Sequence, residues 1–325
     1  MRNELPYDLT NRLVIGIASS ALFDLAESDA VFRDQGEESY RRHQEEHLDQ
    51  ALMPGVAFPF IQRLLSLNDL SCADDPLVEV IVMSRNDAET GLRVMRSIAH
   101  HELGITRAIF TQGRPPYLFM PVLNMSLFLS ANEDDVRRAI AQGHPAGQVL
   151  ASAYTDDDTD ELRIAFDFDG VLASDESEQI YRQRGLQGFH QHEVTNLVTP
   201  LSPGPLRDFL ANVNKIQKRE EQRCREDDGY ARRVRVSIVT ARSAPAHERA
   251  VTSLKAWGVT VNDAFFLGGI DKGTVMPVLR PHIFFDDQKS HLLSTAQSVP
   301  SVHVPFGSVN QGVPPGDTPI SQTGS

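Results

Sequence analysis

The sequence has little cysteine, no long apolar run and no lysine in its first half. Its two cysteines, Cys72 and Cys224, are too few for a disulfide framework or a thiolate zinc site. No stretch of about 18 apolar residues occurs, which argues against a membrane-spanning helix. The opening residues MRNELPYDLTNR contain no apolar signal core. We therefore expect a cytoplasmic protein with no membrane partner.

The net charge of −13 is carried by the first half of the chain. Residues 1–161 contain 13 arginines, no lysine and 26 acidic residues, whereas residues 162–325 contain 18 basic and 18 acidic residues. An acidic chain without a basic stripe is a poor match for a nucleic-acid polymer. The neutral second half is the better place to expect an anionic small-molecule substrate.

Short apolar, β-rich runs alternate with helical patterns along the chain, which predicts an α/β fold with a parallel sheet. A helix is expected around Ser253–Trp257, and the acidic segment 151–161 indicates a linker. From residue 306 onward, Gly, Pro and Ser predict a flexible tail. The predicted strands cover residues 13–18, 78–83, 105–110 and 125–130 in the first half, and 162–168, 234–240, 263–268 and 282–287 in the second.

The two halves resemble each other at two fixed offsets. An offset of 149 aligns Pro54-Gly55 with Pro203-Gly204, and an offset of 156 aligns the two Met-Pro-Val-Leu runs at 120–123 and 276–279. The second copy thus carries seven extra residues between its first two strands. Chance similarity between two α/β halves is the alternative to duplication. We predict two doubly wound, Rossmann-like domains related by internal duplication, at residues 1–153 and 154–305, followed by a tail at 306–325.

Two carboxylates, Asp167 and Asp169, lie where the predicted strand 162–168 ends, and Gly170 permits a turn after them. Both carboxylates can therefore project from the carboxyl edge of the sheet, where α/β proteins bind ligands. A lone Asp-x-Asp is a weak signal, but the order of the elements that follow strengthens it. These elements are a strand ending in Thr240, a loop with Lys272, and a strand ending in Asp286-Asp287.

This order of parts resembles the four motifs of the haloacid-dehalogenase (HAD) phosphohydrolase superfamily. The resemblance implies that Asp167 is the nucleophile that forms an aspartyl phosphate, and that Asp169 is the general acid and base. Thr240 would hydrogen-bond a phosphoryl oxygen, and Lys272 would supply positive charge to the phosphate and the carboxylates. A carboxylate that attacks a phosphate dianion also needs a hard cation, and Mg²⁺ prefers oxygen ligands. The implied Mg²⁺ ligands are Asp167, Asp169, Asp286 and Asp287.

A narrower resemblance is to the cytosolic 5′-nucleotidase type I family. It rests on MSRNDAETGLRV (83–94), FDFDGVLASDESE (166–178), VTARSA (239–244) and RPHIFFDDQ (280–288). The resemblance implies Mg²⁺-dependent hydrolysis of nucleoside 5′-monophosphates, AMP prominently, and an assembly of identical subunits. The usual motif of that family has an alanine where this chain has Gly170.

The aligned first half lacks every one of these carboxylates and the lysine. We therefore predict a degenerate domain that neither holds Mg²⁺ nor forms a phosphoenzyme. It would serve packing or bind a regulatory or substrate nucleotide, with Ser84-Arg85-Asn86 as the remaining phosphate contact. The residues aligned with Asp167, Asp169, Thr240, Lys272, Asp286 and Asp287 are Ala18, Ser20, Ser84, Pro116, Ser130 and Ala131.

Residues 173–202 are predicted to form a small cap over the active site. Phe189 or His190 could stack on a purine there, although surface histidines on a mobile cap are equally expected. Ser174 and Asp175 could line the base or ribose pocket or could cap a helix. The predicted substrate-binding residues are Ser174, Asp175, Phe189, His190, Ala241 and Arg242.

Two other functions remain open from the residues alone. One is a phosphatase for a sugar phosphate or another small phosphomonoester. The other is a nucleotide-sensing protein with vestigial hydrolysis, although a sensor has no need of an intact nucleophile.

Overall fold

The described chain is a mixed α/β fold around one ten-stranded sheet. The computed structural model describes residues 7–72, 74–157 and 159–311. Its strands are β1 (Leu13–Ile17), β2 (Val78–Ser84), β3 (Arg107–Phe110), β4 (Leu127–Ser130), β5 (Ala146–Val149), β6 (Leu162–Phe166), β7 (Val234–Thr240), β8 (Asp263–Phe266), β9 (Ile283–Asp286) and β10 (Ser301–His303). They lie in the order β3-β2-β1-β4-β5-β10-β9-β6-β7-β8, which confirms the predicted α/β class.

The strand order of the first half is repeated in the second. In each half the first strand lies between the second and fourth, and the third and fifth strands lie at the two ends of the set. All neighbouring strands are parallel except β5 and β10, which pair antiparallel where the halves meet. The carboxyl ends of the two parallel sets therefore lie at opposite edges of the sheet.

All eight predicted strands are present, whereas β5 and β10 were not predicted from the sequence. Long β-branched runs such as Val78–Ser84 are buried along their whole length, as expected for a parallel strand covered on both faces. The strand β5 has the sequence AGQV, and β10 is only three residues long. Strands this short carry too few apolar residues to show a pattern.

Helices cover both faces of the sheet. The helix predicted around residues 253–257 is part of α8. The helices are α1 (Ser19–Leu22), α2 (Ala26–Glu46), α3 (Phe58–Ser66), α4 (Ala88–His100), α5 (Glu133–Ala141), α6 (Glu176–Thr195), α7 (Arg207–Glu226), α8 (His247–Trp257), α9 (Met276–Leu279) and α10 (Lys289–Thr295).

The segment predicted as a cap, residues 173–202, contains α6 and has a counterpart in the first half. Helix α2 occupies the same place there, and the two helices are kinked at aligned glycines, Gly36 (φ +84°) and Gly185 (φ +64°). Glycine adopts this left-handed conformation without steric cost. The seven extra residues that the alignment gives to the second half therefore do not lie in this segment. They lie in the region of the next helix, since α7 has 20 residues and the corresponding helix α3 has nine.

One hydrophobic core extends through both halves. Ile15 and Phe60 of the first half belong to the same buried cluster as Phe166 and Phe209 of the second. Helix α7 packs against β1, and α3 packs against β6. The segment 151–161 forms no helix or strand where it is described, but it joins two halves that share a core. The predicted domain boundary at residue 153 stays a prediction.

The flexible tail predicted from residue 306 is wrong for residues 306–311. Residues 306–311 are ordered around a 3₁₀ turn, Ser308–Asn310. The Ser308 amide donates to Asp175 Oδ2 at 2.6 Å, and Asn310 Nδ2 donates to the Asp287 carbonyl at 2.9 Å. These bonds hold the segment against the sheet, and residues 312–325 lie outside the described part. Within the described residues, no helix has the length and apolarity needed to cross a bilayer.

Candidate active site

Two predicted catalytic side chains and one predicted metal ligand meet at the carboxyl edge of the second-half sheet. Asp167 directly follows β6, Thr240 ends β7, and Asp286 ends β9. Because β7, β6 and β9 are parallel neighbours, their carboxyl ends lie side by side. All three side chains are buried. The structure therefore brings these residues together as the sequence predicted.

Lys272 reaches this cluster from a short 3₁₀ turn, Lys272–Thr274. Its Nζ lies 2.9 Å from Asp167 Oδ1 and 2.6 Å from Asp286 Oδ2. The lysine is only 2% exposed, so water does not screen these contacts. The ammonium group thus bridges the predicted nucleophile and a predicted metal ligand.

Asp287 lies close to the turn that carries the first two aspartates. Gly170 has φ +74°, and a Cβ at that position would collide with the Asp287 carboxylate. Glycine is therefore required both for the turn and for the close approach of Asp287. The Asp287 side chain is buried, and its Oδ1 has no hydrogen-bond partner among the described residues.

The buried groups shift each other's protonation. Burial, and then the carboxylates of Asp286 and Asp169, raise the pKa of Asp167 to about 7, although Lys272 opposes the shift. Burial and the charges of Asp167 and Asp286 raise the pKa of Asp287 well above its usual range. Burial opposes the charge on Lys272, but Asp167 and Asp286 raise its pKa. The cluster thus contains more carboxyl groups than its one lysine can neutralise, and their mutual repulsion favours protonation unless a cation is bound.

The arrangement fits a hard divalent cation. The ligand atoms of Asp167, Asp286 and His291 all lie within 4.8 Å of one another. The unpartnered Oδ1 of Asp287 supplies a further buried oxygen. Carboxylate oxygens are the ligands that Mg²⁺ prefers, and one cation would offset the excess negative charge. Asp167, Asp286 and Asp287 are therefore the side chains that fit a Mg²⁺ ion.

The side chain of Asp169 faces Arg242 instead of the lysine. Arg242 Nε donates to Asp169 Oδ2 and Nη2 donates to Oδ1, both at 2.7 Å. Arg242 was predicted to bind the substrate, and the Asp169 carboxylate was predicted to bind the metal. In the structure these two side chains pair with each other, so neither assignment describes their main contact.

A cavity of about 450 Å³ opens above the cluster, beneath α6. Its volume is in the range of small-molecule sites. Four predicted substrate-binding residues line it: Phe189, His190, Ala241 and Arg242. It is also lined by the predicted catalytic residues Asp167, Asp169 and Thr240.

Ser174 and Asp175 are not brought to this cavity. The Ser174 amide donates to the Ser202 carbonyl at 2.8 Å. Asp175 precedes α6 but makes no side-chain cap bond; it accepts from the Ser308 amide and from Gln179 Nε2. The proposed roles in a base pocket or helix cap are therefore wrong for Asp175, which anchors the segment after β10.

Three residues at the site were missed by the sequence analysis. His291 Nδ1 lies 3.2 Å from Asp286 Oδ2. Tyr181 lines the cavity and packs edge-on against Phe189, with ring centroids 6.3 Å apart. Glu193 of α6 is fully buried and pairs with Arg242. The signal for the histidine was its position in the first turn of α10, which begins at Lys289, two residues after the Asp286-Asp287 pair.

In the first half, the six positions aligned with the catalytic groups line a cavity of about 330 Å³. A second cavity of about 690 Å³ adjoins it, and Phe32 and Tyr40 line that cavity as an edge-on aromatic pair with centroids 5.7 Å apart. Nearby, the guanidinium of Arg85 is paired with both oxygens of Asp135. The predicted phosphate contact at Ser84-Arg85-Asn86 thus has its arginine already neutralised.

Fold and site together define a class of α/β proteins with an acid–lysine cluster at the carboxyl ends of parallel strands. The family profile described as 5′-nucleotidase matches residues 5–311 of the chain. The chain belongs to this family, and specifically to the cytosolic type I group.

A human relative carries the printed name Cytosolic 5′-nucleotidase 1B. The chain is 32% identical to it over 291 residues, which is 87% of this chain and 47% of the relative. The chain therefore spans about half the length of that curated relative. No solved structure matches the chain significantly.

Proposed function

We propose that this chain hydrolyses nucleoside 5′-monophosphates of the AMP, IMP and GMP type to nucleoside and phosphate, with Mg²⁺ as cofactor. The observation that carries the proposal is the Lys272 bridge between Asp167 and Asp286 at 2.9 and 2.6 Å. A buried lysine between two carboxylates, below an open cavity, is arranged to receive a phosphoryl group. The family membership and the printed name of the human relative support the substrate class.

The first step is attack on phosphorus. Asp167 Oδ forms a bond to phosphorus while the bond from phosphorus to O5′ breaks, and Asp169 gives a proton to O5′. The Lys272 ammonium and the Thr240 hydroxyl stabilise the charge on the phosphoryl oxygens. The products of this step are a nucleoside and an aspartyl phosphate.

The second step is hydrolysis of that acyl phosphate. Asp169, now ionised, takes a proton from a water molecule, and the water oxygen attacks phosphorus. The bond from phosphorus to Asp167 then breaks, which releases inorganic phosphate and restores the nucleophile. Bound Mg²⁺ would neutralise charge on the phosphoryl group and on the carboxylates of Asp167, Asp286 and Asp287.

The aromatic side chains of α6 are placed to hold the base. Phe189 and Tyr181 form an edge-on pair on the wall of the cavity. Aromatic faces stack on any base, so these residues provide affinity without choosing among purines. His190 lines the same wall and adds a polar group near the base.

For the first half we propose a degenerate copy that arose by internal duplication. Its support is the repeated strand order, the matched kinks at Gly36 and Gly185 and the loss of the four aligned carboxylates and the aligned lysine. We propose the units 1–153 and 154–305 on the same grounds. The printed name of the human relative supports a cytoplasmic location, and an assembly of identical subunits without nucleic-acid polymer or membrane partners completes the proposal.

The test is a phosphate-release assay over AMP, IMP, GMP and a set of sugar phosphates, with Mg²⁺ and with a chelator. We expect nucleotide hydrolysis that stops when the chelator is added. A clear preference for sugar phosphates would contradict the proposed substrate. Tight nucleotide binding with negligible turnover would instead favour a sensor.

A further inference from the structure

A buried chain of charges links the predicted general acid to the cap helix. Arg242 is 3% exposed, and its five N–H groups are all used. Besides the two bonds to Asp169, Nη2 donates to Ser177 Oγ at 2.7 Å and Nη1 donates to the Ala246 carbonyl at 3.0 Å. The remaining Nη1 hydrogen pairs with Glu193 Oε2.

Glu193 lies near the end of α6 and is completely buried. Its Oε1 accepts from Arg249 Nη1 at 3.0 Å and from Ser177 Oγ at 3.1 Å. A buried ion pair seldom stabilises a fold more than apolar residues of the same size would. Stability therefore gives no sufficient reason for this pair.

In the first half, the corresponding helix α2 is held in place without those charges. The residues aligned with Asp169, Arg242 and Glu193 are Ser20, Asn86 and Gln44. All three charged groups of the inner chain are therefore replaced by neutral polar residues together.

The outer contacts of the helix are retained in both halves. Arg249 Nε donates to the Thr199 carbonyl at 2.9 Å, and its aligned residue Arg93 donates to the Gln50 carbonyl at 3.1 Å. Arg93 Nη1 also donates to Gln44 Oε1 at 3.2 Å, as Arg249 does to Glu193. The fold thus needs the outer arginine but not the inner charges, which are found only beside the catalytic aspartates.

We infer that Arg242 and Glu193 are positioning residues that orient the Asp169 carboxyl group for proton transfer. This inference rests on the proposed function. A carboxylate oxygen has two lone pairs, so the two-bond contact with Arg242 leaves one on each oxygen free toward the cavity. Glu193 fixes the guanidinium from α6, the helix that also carries Phe189. The position of α6, the helix that is proposed to bind the base, thereby affects the orientation of Asp169, the proposed proton donor.

The test compares two leaving groups. Departure of an alcohol such as the nucleoside O5′ needs a proton, whereas p-nitrophenolate leaves without one. The measurements are kcat for AMP and the pre-steady-state burst of p-nitrophenolate from p-nitrophenyl phosphate. The burst reports formation of the phosphoenzyme alone.

The main variant is the double replacement Arg242→Asn/Glu193→Gln, which copies Asn86 and Gln44 of the first half and avoids an unpaired buried charge. We expect kcat for AMP to fall by about 100-fold, the scale of general acid catalysis, while the burst rate changes by less than about fivefold. The single variant Arg242→Lys should give an intermediate loss, because one ammonium cannot hold both oxygens of Asp169. The matched control is Arg235→Asn, which removes a two-bond arginine contact to Asp263 (both bonds 2.7 Å) at an exposed position outside the cavity, with both rates unchanged.

An equal fall of both rates, or no fall in kcat, would overturn the inference. If the double variant has a lowered melting temperature, Glu193→Gln alone provides the same rate comparison with one charge removed. A wild-type enzyme that cleaves p-nitrophenyl phosphate and glycerol phosphate but no nucleotide would contradict only the proposed substrate, and glycerol phosphate then replaces AMP. A wild-type enzyme inactive on every phosphate ester would overturn both proposals.

Discussion

The two halves of this chain have the same strand order and the same kinked helix. They differ in the acid–lysine cluster at the carboxyl ends of their strands, whose positions are charged in the second half and uncharged in the first. In the second half, Lys272 bridges Asp167 and Asp286 away from water. In the first half, the aligned positions are Pro116, Ala18 and Ser130, none of which is charged. The first half therefore shows that the fold does not need these charged groups for its stability. The charged groups found only in the second half are the ones expected to serve its chemistry.

The largest expected effect comes from removing the proposed nucleophile. Asp167→Asn keeps the size of the side chain but cannot form an aspartyl phosphate, so turnover of AMP should fall by at least about 10³-fold. Phosphate release measures the loss, and circular dichroism checks the fold. Ser84→Ala, at the first-half position aligned with Thr240, is the control and should keep full activity. Substantial activity in Asp167→Asn would show that the wrong residue, or the wrong half, was assigned.

Removing the buried lysine should affect both activity and stability. Lys272→Met leaves Asp167 and Asp286 buried without their shared cation, which costs about 3–5 kcal/mol in the free energy of unfolding. We expect Mg²⁺ to restore part of this loss, so the melting temperature of the variant should depend on Mg²⁺ more steeply than that of the wild type.

The control for this experiment is Lys289→Met. Lys289 is half exposed and pairs with Glu133 at the surface, so its loss should be nearly neutral. Equal melting temperatures for both variants would indicate that the Lys272 bridge does not stabilise the fold.

A smaller effect is expected from changing the aromatic pairs that line the two cavities. Phe189→Ala removes a stacking surface from the second-half cavity and should raise KM for AMP about tenfold, with a smaller change in kcat. Tyr40→Ala makes the aligned change in the first-half cavity and should leave KM unchanged. A comparable rise in KM with Tyr40→Ala would mean that the first half takes part in substrate binding.

The smallest expected effect is on acid stability. Burial lowers the pKa of His282 and of His303 to about 4, compared with about 6.5 in an unfolded chain. The unfolded state therefore binds more protons between pH 6.5 and 4, and the free energy of unfolding should fall across that range, by up to about 3 kcal/mol for each histidine.

Urea unfolding at several pH values measures this slope. His282→Asn keeps an acceptor for the Arg163 amide, which now donates to His282 Nδ1 at 3.0 Å, and should flatten the slope. His100→Asn, at an exposed position, should not. An unchanged slope in His282→Asn would show that this buried histidine is not the proton acceptor.

Much of the fold was predictable because long buried strands such as Val78–Ser84 leave a continuous apolar run in the sequence. The junction between the halves was not, because β5 and β10 are too short to carry a pattern. Residues at strand ends, such as Asp167 and Asp286, were predictable because parallel neighbours place their ends together.

The links between helices and the site were harder to predict. Glu193 stands in a polar helix, where an acidic residue ordinarily faces water, and only the tertiary fold buries it. Arg242 was correctly placed at the cavity but with the wrong partner, because the sequence does not say which way a long side chain turns. Its alignment with Asn86, together with that of Glu193 with Gln44, was the available signal.

The central claim, that a covalent phosphoryl intermediate forms on Asp167 and only in the second half, can be tested by chemical trapping. Enzyme mixed with AMP and Mg²⁺ is quenched in acid, reduced with borohydride and mapped by mass spectrometry, since reduction converts an aspartyl phosphate to homoserine. We predict homoserine at position 167, dependent on nucleotide and absent in Asp167→Asn. Reduction at any other carboxylate, or none during demonstrated turnover, would contradict it.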